Sequence, residues 1–133
     1  MANMAPKIMD MLKRPETNKV LSTVSPEGDP HSIVCGSLLV IDEETVIVGE
    51  VYMYATCRNL NNNPKAEFLV WSGKDAYSIQ ATLSSRIDSG PLLEKMNHNL
   101  ERMKMKAVAV LEFKVRSVYD EGISPDTAGT QIA

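Results

Sequence analysis

Between Ala76 and Ser85 the chain alternates in chemical character. Tyr77, Ile79, Ala81 and Leu83 share one parity, and Ser78, Gln80, Thr82 and Ser84 share the other. A period of two is the signature of a β-strand with one face buried and one face wet; a helix would scatter these side chains around its axis. Short runs of this kind, punctuated by turn residues, recur along the chain. Lys19 to Ser25 leads into Ser25-Pro26-Glu27-Gly28-Asp29, where Pro and Gly sit as a tight turn requires. Pro30 to Ile41 is a long extended run closed by Asp42-Glu43-Glu44, and Thr45 to Val51 carries Val46, Ile47 and Val48 in succession, as in a strand buried on both faces. These three runs predict a meander. Lys65 to Ser72 pairs with Ala76 to Ser85 around Gly73-Lys74. Ala107 to Tyr119 closes the sheet, with Ala109, Leu111, Phe113 and Val115 on one face.

Helical signals are fewer. Pro6 suits a first helical turn, Ile8 and Leu12 lie one turn apart, and Pro15 forbids continuation. Thr56 is placed to cap a short helix that Pro64 ends. Gly90-Pro91 opens a stretch to about Lys104 in which Leu92, Met96, Leu100 and Met103 recur at helical spacing. Six or seven short strands with two helices of any length predict a mainly β fold, a small closed or partly closed barrel, with a sandwich as the structural alternative. The length of 133 residues and an apolar fraction of 44% suit one core, expected over residues 1–122, with residues 123–133 as a polar C-terminal tail. A barrel of this size fills its interior with its own side chains, so a cofactor is expected outside it, between subunits.

Charge and composition exclude several classes. A net charge of −3 with signs interspersed gives no basic field for nucleic acid. Apolar runs such as Gly36 to Ile41 fall far short of the ~20 residues that span a bilayer. Lys7, Asp10 and Lys13 break the N-terminal segment, so no signal peptide is expected there. Cys35 and Cys57 have neither metal-ligand spacing nor a Cys-x-x-Cys arrangement, as for reduced thiols, and the expected location is the cytoplasm. With His31 and His98 as the only histidines, no metal site is expected.

The strongest local signal for chemistry is Thr56-Cys57-Arg58-Asn59 at a loop-to-helix junction after a buried strand. Free N–H groups, a hydroxyl and a guanidinium there suit phosphate; a Thr N-cap followed by a solvated Arg is the other reading. Cys35-Gly36-Ser37 interrupts an extended run, either as a β-bulge or to admit a flat ring or another backbone. Cys35 has no assured base nearby and reads as core. No Ser/His/Asp set or phosphate loop can be assembled, so no catalytic side chain is assigned; any chemistry belongs to a bound cofactor.

Several features then align in order: Val20 to Val24, the turn through Gly28-Asp29-Pro30-His31, Ser32 to Ile41, Thr56-x-x-Asn59-Leu60 and Asn63-Pro64. Ala76 to Thr82, Asp88-Ser89-Gly90-Pro91 and Lys106 follow. Over roughly residues 17 to 120 this layout resembles the flavin-binding split-barrel family related to pyridoxamine 5′-phosphate oxidase. The resemblance implies a six-stranded antiparallel split β-barrel of Greek-key type, with an N-terminal helix and one further helix before the last strand. It also implies a homodimer with two FMN sites at the interface. It assigns the phosphate to Thr56, Arg58 and Asn59, and the ring to Val34, Cys35 and Gly36 and to Glu50 and Val51, largely through backbone groups. Two departures stand out: Ala55 occupies the place where the family often has Lys or Arg, and Ala81 replaces a usual glycine. The Arg-x-His segment with which the true oxidase grips its substrate is absent from Ser124 to Ala133, which argues against pyridoxamine phosphate oxidation. The expectation is an FMN-binding small reductase or electron-transfer protein. The alternatives are a dimer that stores or senses a flavin, deazaflavin or haem without turnover, and a structural dimer that has lost its cofactor.

Overall fold

The computed structural model describes residues 2–133. It is mainly antiparallel β. In chain order the elements are α1 (Pro6–Lys13), β1 (Asn18–Val24), β2 (Pro30–Val34), β3 (Leu38–Asp42), β4 (Thr45–Gly49), α2 (Tyr54–Asn62), β5 (Lys65–Ser72), β6 (Asp75–Ile87), α3 (Pro91–Leu100), a 3₁₀ turn (Glu101–Met103), β7 (Val110–Asp120) and β8 (Thr130–Gln131). All strands belong to one sheet in the order β2-β1-β5-β6-β7-β4-β3, with β8 paired to β7.

This differs from the six strands and two main helices expected. The run from Pro30 to Ile41 does not stay in one ladder. It pairs with β1 as far as Val34 and with β4 from Leu38 onward, so one predicted strand becomes two at opposite edges of the sheet. The predicted meander is therefore two hairpins, β1–β2 and β3–β4, separated by the whole width of β5, β6 and β7. No ladder joins β2 to β3, and the sheet is not closed by hydrogen bonds along that seam. Only Cys35, Gly36 and Ser37 lie between them, which holds Val34 and Leu38 within about 14 Å and obliges the sheet to curl.

Residues 123–133 do not stand apart from the sheet. Ile132 N–H donates to Val118 O at 2.8 Å, and Val118 N–H donates to Ala133 O at 3.1 Å. Near the other end, Ala2 N–H donates to Val115 O at 3.1 Å.

Curling encloses a core drawn from α1 and every large strand. Ile8 and Leu12 of α1 are buried against it, consistent with their one-turn spacing, and Met11 joins them. Phe68 and Phe113 are fully buried and stack edge to face, with ring centroids 5.2 Å apart and planes at 90°. Every residue of β4 is buried. Val46 and Val48 enter this core, while Ile47 turns to a second cluster with Met96, Leu100, Ala107 and Val110 beneath α3. Strand β6 keeps the predicted alternation through Tyr77, Ile79 and Ala81, though Ser78 on the opposite face is also buried.

Truncation of Phe68 to Ala removes one partner of the aromatic pair and leaves a cavity in a fully packed site. The expected loss is about 3–5 kcal/mol, read as a lower urea midpoint with an unchanged denaturant slope.

Candidate functional site

The connector between the two edge strands carries the first group of predicted site residues. Cys35 N–H donates to Lys19 O at 2.9 Å, extending the β1–β2 ladder by one step. The Cys35 side chain points into the core, and burial pushes its thiol up to about 11, so it is no nucleophile at neutral pH. Val34 is 86% exposed. Gly36 is exposed and has open space where a Cβ would stand, so crowding does not require a glycine there. Ser37, read from the sequence only as part of the Cys35-Gly36-Ser37 interruption, does the stitching: its Oγ donates to Gly49 O at 3.1 Å and accepts from Gly49 N–H at 3.2 Å. A side chain thus replaces a strand partner at the end of β4. Gly49 itself lies where a Cβ would meet Met96 Cγ at 3.0 Å and Ala107 Cβ at 3.2 Å, so a glycine lets α3 pack closely onto the sheet.

Val34, Cys35 and Gly36 line one side of a groove of about 780 Å³, within the roughly 300–1,000 Å³ of small-molecule sites. The other walls come from the α1–β1 link, from Trp71 near the end of β5, and from the end of α3 with its 3₁₀ turn.

The second group lies just past β4. Glu50 N–H donates to Ala109 O at 2.9 Å and Glu50 O accepts from Val108 N–H at 3.1 Å, so both of its main-chain groups are engaged. Its carboxylate meets Arg86 of β6 in a two-pronged pair, Nε to Oε1 at 2.8 Å and Nη2 to Oε2 at 3.3 Å. The Arg86 hydrogen bond holds the Glu50 pKa below the usual carboxylate range against the opposing effect of burial. Burial first, and then the Glu50 charge, push the neighbouring Cys57 thiol up to about 11. Val51 is half-buried, and Tyr52 adopts a φ of 54°, a left-handed conformation rare for a bulky residue. Tyr52 and Tyr54 are each 82% exposed on either side of the buried Met53.

Helix α2 begins at Tyr54, so Thr56 is its third residue rather than its cap; Met53 occupies the cap position and offers no side-chain hydrogen bond. The first intrahelical bond runs from Cys57 N–H to Met53 O at 2.9 Å, leaving the N–H groups of Tyr54, Ala55 and Thr56 ahead of it. Thr56 Oγ1 is the one buried side-chain polar atom without a hydrogen-bond partner among the described residues. Asn59 is buried too, but its Nδ2 donates to Thr23 Oγ1 at 3.0 Å and ties α2 to β1. Arg58 is exposed and forms no salt bridge among the described residues. The Ser37–Gly49 link brings the connector and the end of β4 together; Arg58 does not line the groove. His98 is exposed, 3.9 Å from Glu101, and His31 is half-buried in β2. No helix among the described residues is long and apolar enough to cross a membrane.

Residues 4–122 match the pyridoxamine 5′-phosphate oxidase family. The chain belongs to that family. Solved structures agree on the fold. An FMN-binding protein from Syntrophomonas wolfei superposes with a TM-score of 0.80 at 18% identity, over 87% of this chain and 84% of that one. HupZ from Group A Streptococcus gives 0.79 at 18% identity, over 95% and 98%. HutZ, a haem storage protein of Vibrio cholerae, gives 0.62 at 14%, over 91% and 97%. Comparison with curated proteins gave no significant match. Proteins described as FMN-binding and as haem storage thus share this fold.

The Glu50–Arg86 pair sets a pH dependence. Folded Glu50 has a depressed pKa, so the unfolded chain takes up this proton first as pH falls. The stabilisation is complete above the ordinary Glu value of about 4.3 and is lost as pH drops through the lower folded value. Replacing Glu50 by Gln should flatten that part of the acid limb in urea-midpoint measurements across pH 6 to about 3.

Proposed function

We propose that this chain is an FMN-binding flavoprotein of the pyridoxamine 5′-phosphate oxidase family, working as a homodimer in the cytoplasm in small-molecule reduction or electron transfer. The observation that carries the proposal is the start of α2. Three N–H groups ahead of the first intrahelical bond and the partnerless hydroxyl of Thr56 together make an incomplete donor set, of the kind an anion completes. Arg58 lies two residues further on, unpaired and exposed, and supplies the positive charge that Ala55 does not. Asn59 does not contribute a free amide to this set; its bond to Thr23 fixes the helix against β1, making it a positioning residue for the anchor.

These residues fit a phosphate, so FMN is the group favoured. Bound there, FMN supplies hydride or single-electron chemistry through its ring. The chain's own part is to bind and orient. The α2 start and Arg58 hold the phosphate, the exposed Val34 and open Gly36 offer a flat surface for the ring, and Glu50 is locked by Arg86 so that the end of β4 stays rigid beside it. No side chain in either group is assigned as an acid or base, and the chemistry is left to the cofactor. A haem or deazaflavin dimer is the competing reading, supported by the likeness to the haem storage protein HutZ; Ala55 is the argument for a structural dimer that has lost its cofactor.

The visible spectrum of the purified protein separates these. A flavin spectrum, bleached by reductant and recovered with an acceptor, supports the proposal. A Soret band supports haem, and a colourless protein that ignores added FMN sinks it. Arg58→Ala should weaken FMN binding about tenfold or more, the range for a hydrogen bond to a charged group, with the fold retained by circular dichroism. Thr56→Val is a second test: it should stabilise the ligand-free protein by removing an unsatisfied hydroxyl, and weaken FMN binding as well. Stabilisation with unchanged FMN affinity would remove Thr56 from the site.

A further inference from the structure

The 780 Å³ groove has an electrostatic character that the flavin anchor does not explain. Four cationic residues line it: Lys13, Arg14 and Lys19 from the α1–β1 segment, and Arg102 from the 3₁₀ turn after α3. No aspartate or glutamate lines it, in a chain with 17 acidic residues and a net charge of −3. None of the four cations forms a salt bridge among the described residues. A groove lined by cations and by no carboxylate favours an anionic ligand. Lys19 is part-buried, and desolvation holds its pKa below the ordinary lysine value, so an anion beside it restores what burial takes.

Between these charges the surface is apolar and partly flat. Val20, Val34, Leu38, Leu39 and Met96 contribute aliphatic wall, and Trp71, the one tryptophan of the chain, contributes an indole. An apolar wall with charges of one sign at its margin selects ligands on two criteria at once. We infer that this groove is a binding site for planar, apolar small molecules bearing a carboxylate or other acidic group. The carboxylate pairs with Arg14 and Arg102, whose forked guanidinium groups suit bidentate contact, and the ring lies along Trp71 and Met96. In one respect this rests on the flavin reading: with FMN seated against Gly36, the groove defines the chemical class of the molecule that meets it, an aromatic or similarly apolar acid. The anion preference itself is a property of the groove and is measurable without flavin.

Trp71 supplies the readout. The full-length protein as purified, labelled with ¹⁵N, has one indole N–H resonance, which Trp71→Phe should abolish. Titration with 2-naphthoate, 2-naphthylmethanol and 2-naphthylmethylammonium compares one ring with a negative, a neutral and a positive group. The expected result is a saturable shift of the indole resonance by naphthoate at an affinity about tenfold above the alcohol, with the ammonium weakest and the preference shrinking as salt is raised. Replacing the exposed Arg14 and Arg102 by Ala should bring naphthoate down to the affinity of the alcohol while leaving the alcohol unchanged. Equal affinities for the three probes, an unmoved indole resonance, or a charge preference that survives the double substitution would each overturn the inference. Failure here is distinct from failure of the flavin proposal. FMN binding is read by flavin absorbance and by its dependence on Arg58, which lies outside the groove. A protein that ignores FMN yet prefers naphthoate retains this site and loses only the cofactor assignment.

Discussion

The constraint on which the rest of the molecule depends is the three-residue span from Cys35 to Ser37. It joins the two strands at opposite edges of the sheet, so the sheet must bend until those edges approach. Bending brings α1, β1 and β4 around the Phe68–Phe113 pair and creates an inside for a chain of modest size. The span is short but not slack. Cys35 is fixed to Lys19 on one side, and Ser37 is fixed twice to Gly49 on the other, leaving Gly36 alone exposed between two anchored neighbours. The groove opens at this seam because the sheet is held together there by covalent chain and a serine rather than by a ladder.

The two proposed sites are of opposite design. At the start of α2 the donors are mostly main-chain N–H groups with a buried hydroxyl, which suits a compact anion held at close range. In the groove the donors are long flexible cations around an apolar wall, which suits a larger ligand with charge at its edge. The Glu50–Arg86 pair and the Asn59–Thr23 bond stand outside both sets of donors and fix the elements that carry them. Rigid support of this kind lets a small domain hold a ligand at its surface without enclosing it.

Much of the fold was legible in the residues. The β5–β6 hairpin, the short N-terminal helix ended by Pro15, and the α3 stretch follow from alternation, proline placement and helical spacing, because these signals are local. The division of Pro30 to Ile41 was not, since Val34 and Leu38 take partners on different hairpins and nothing within the run reveals which. Thr56 illustrates a similar limit: its residue type suited a cap, but the helix starts earlier, with Met53 at the cap after a left-handed Tyr52 that side-chain preference does not announce. Lys13, Arg14 and Lys19 lie close in sequence, but Glu16 among them leaves no basic run to read as a site. Arg102 and Trp71 join them only through folding, so the groove was beyond the reach of any local pattern.

The order of strands across the sheet also governs how the chain can be assembled as it is made. The centre, β5-β6-β7, is the last large part to be synthesised, and the strands that flank it come first. On a growing nascent chain the β1–β2 and β3–β4 hairpins exist for some time with one side each and no sheet to join, and isolated hairpins are marginal in water. Native structure therefore waits for the C-terminal half, and the acquisition of tertiary order is late and concerted rather than progressive. The short link through Gly36 shortens that wait in one respect: it keeps the two early hairpins tethered side by side, so the arriving strands meet both flanks at once.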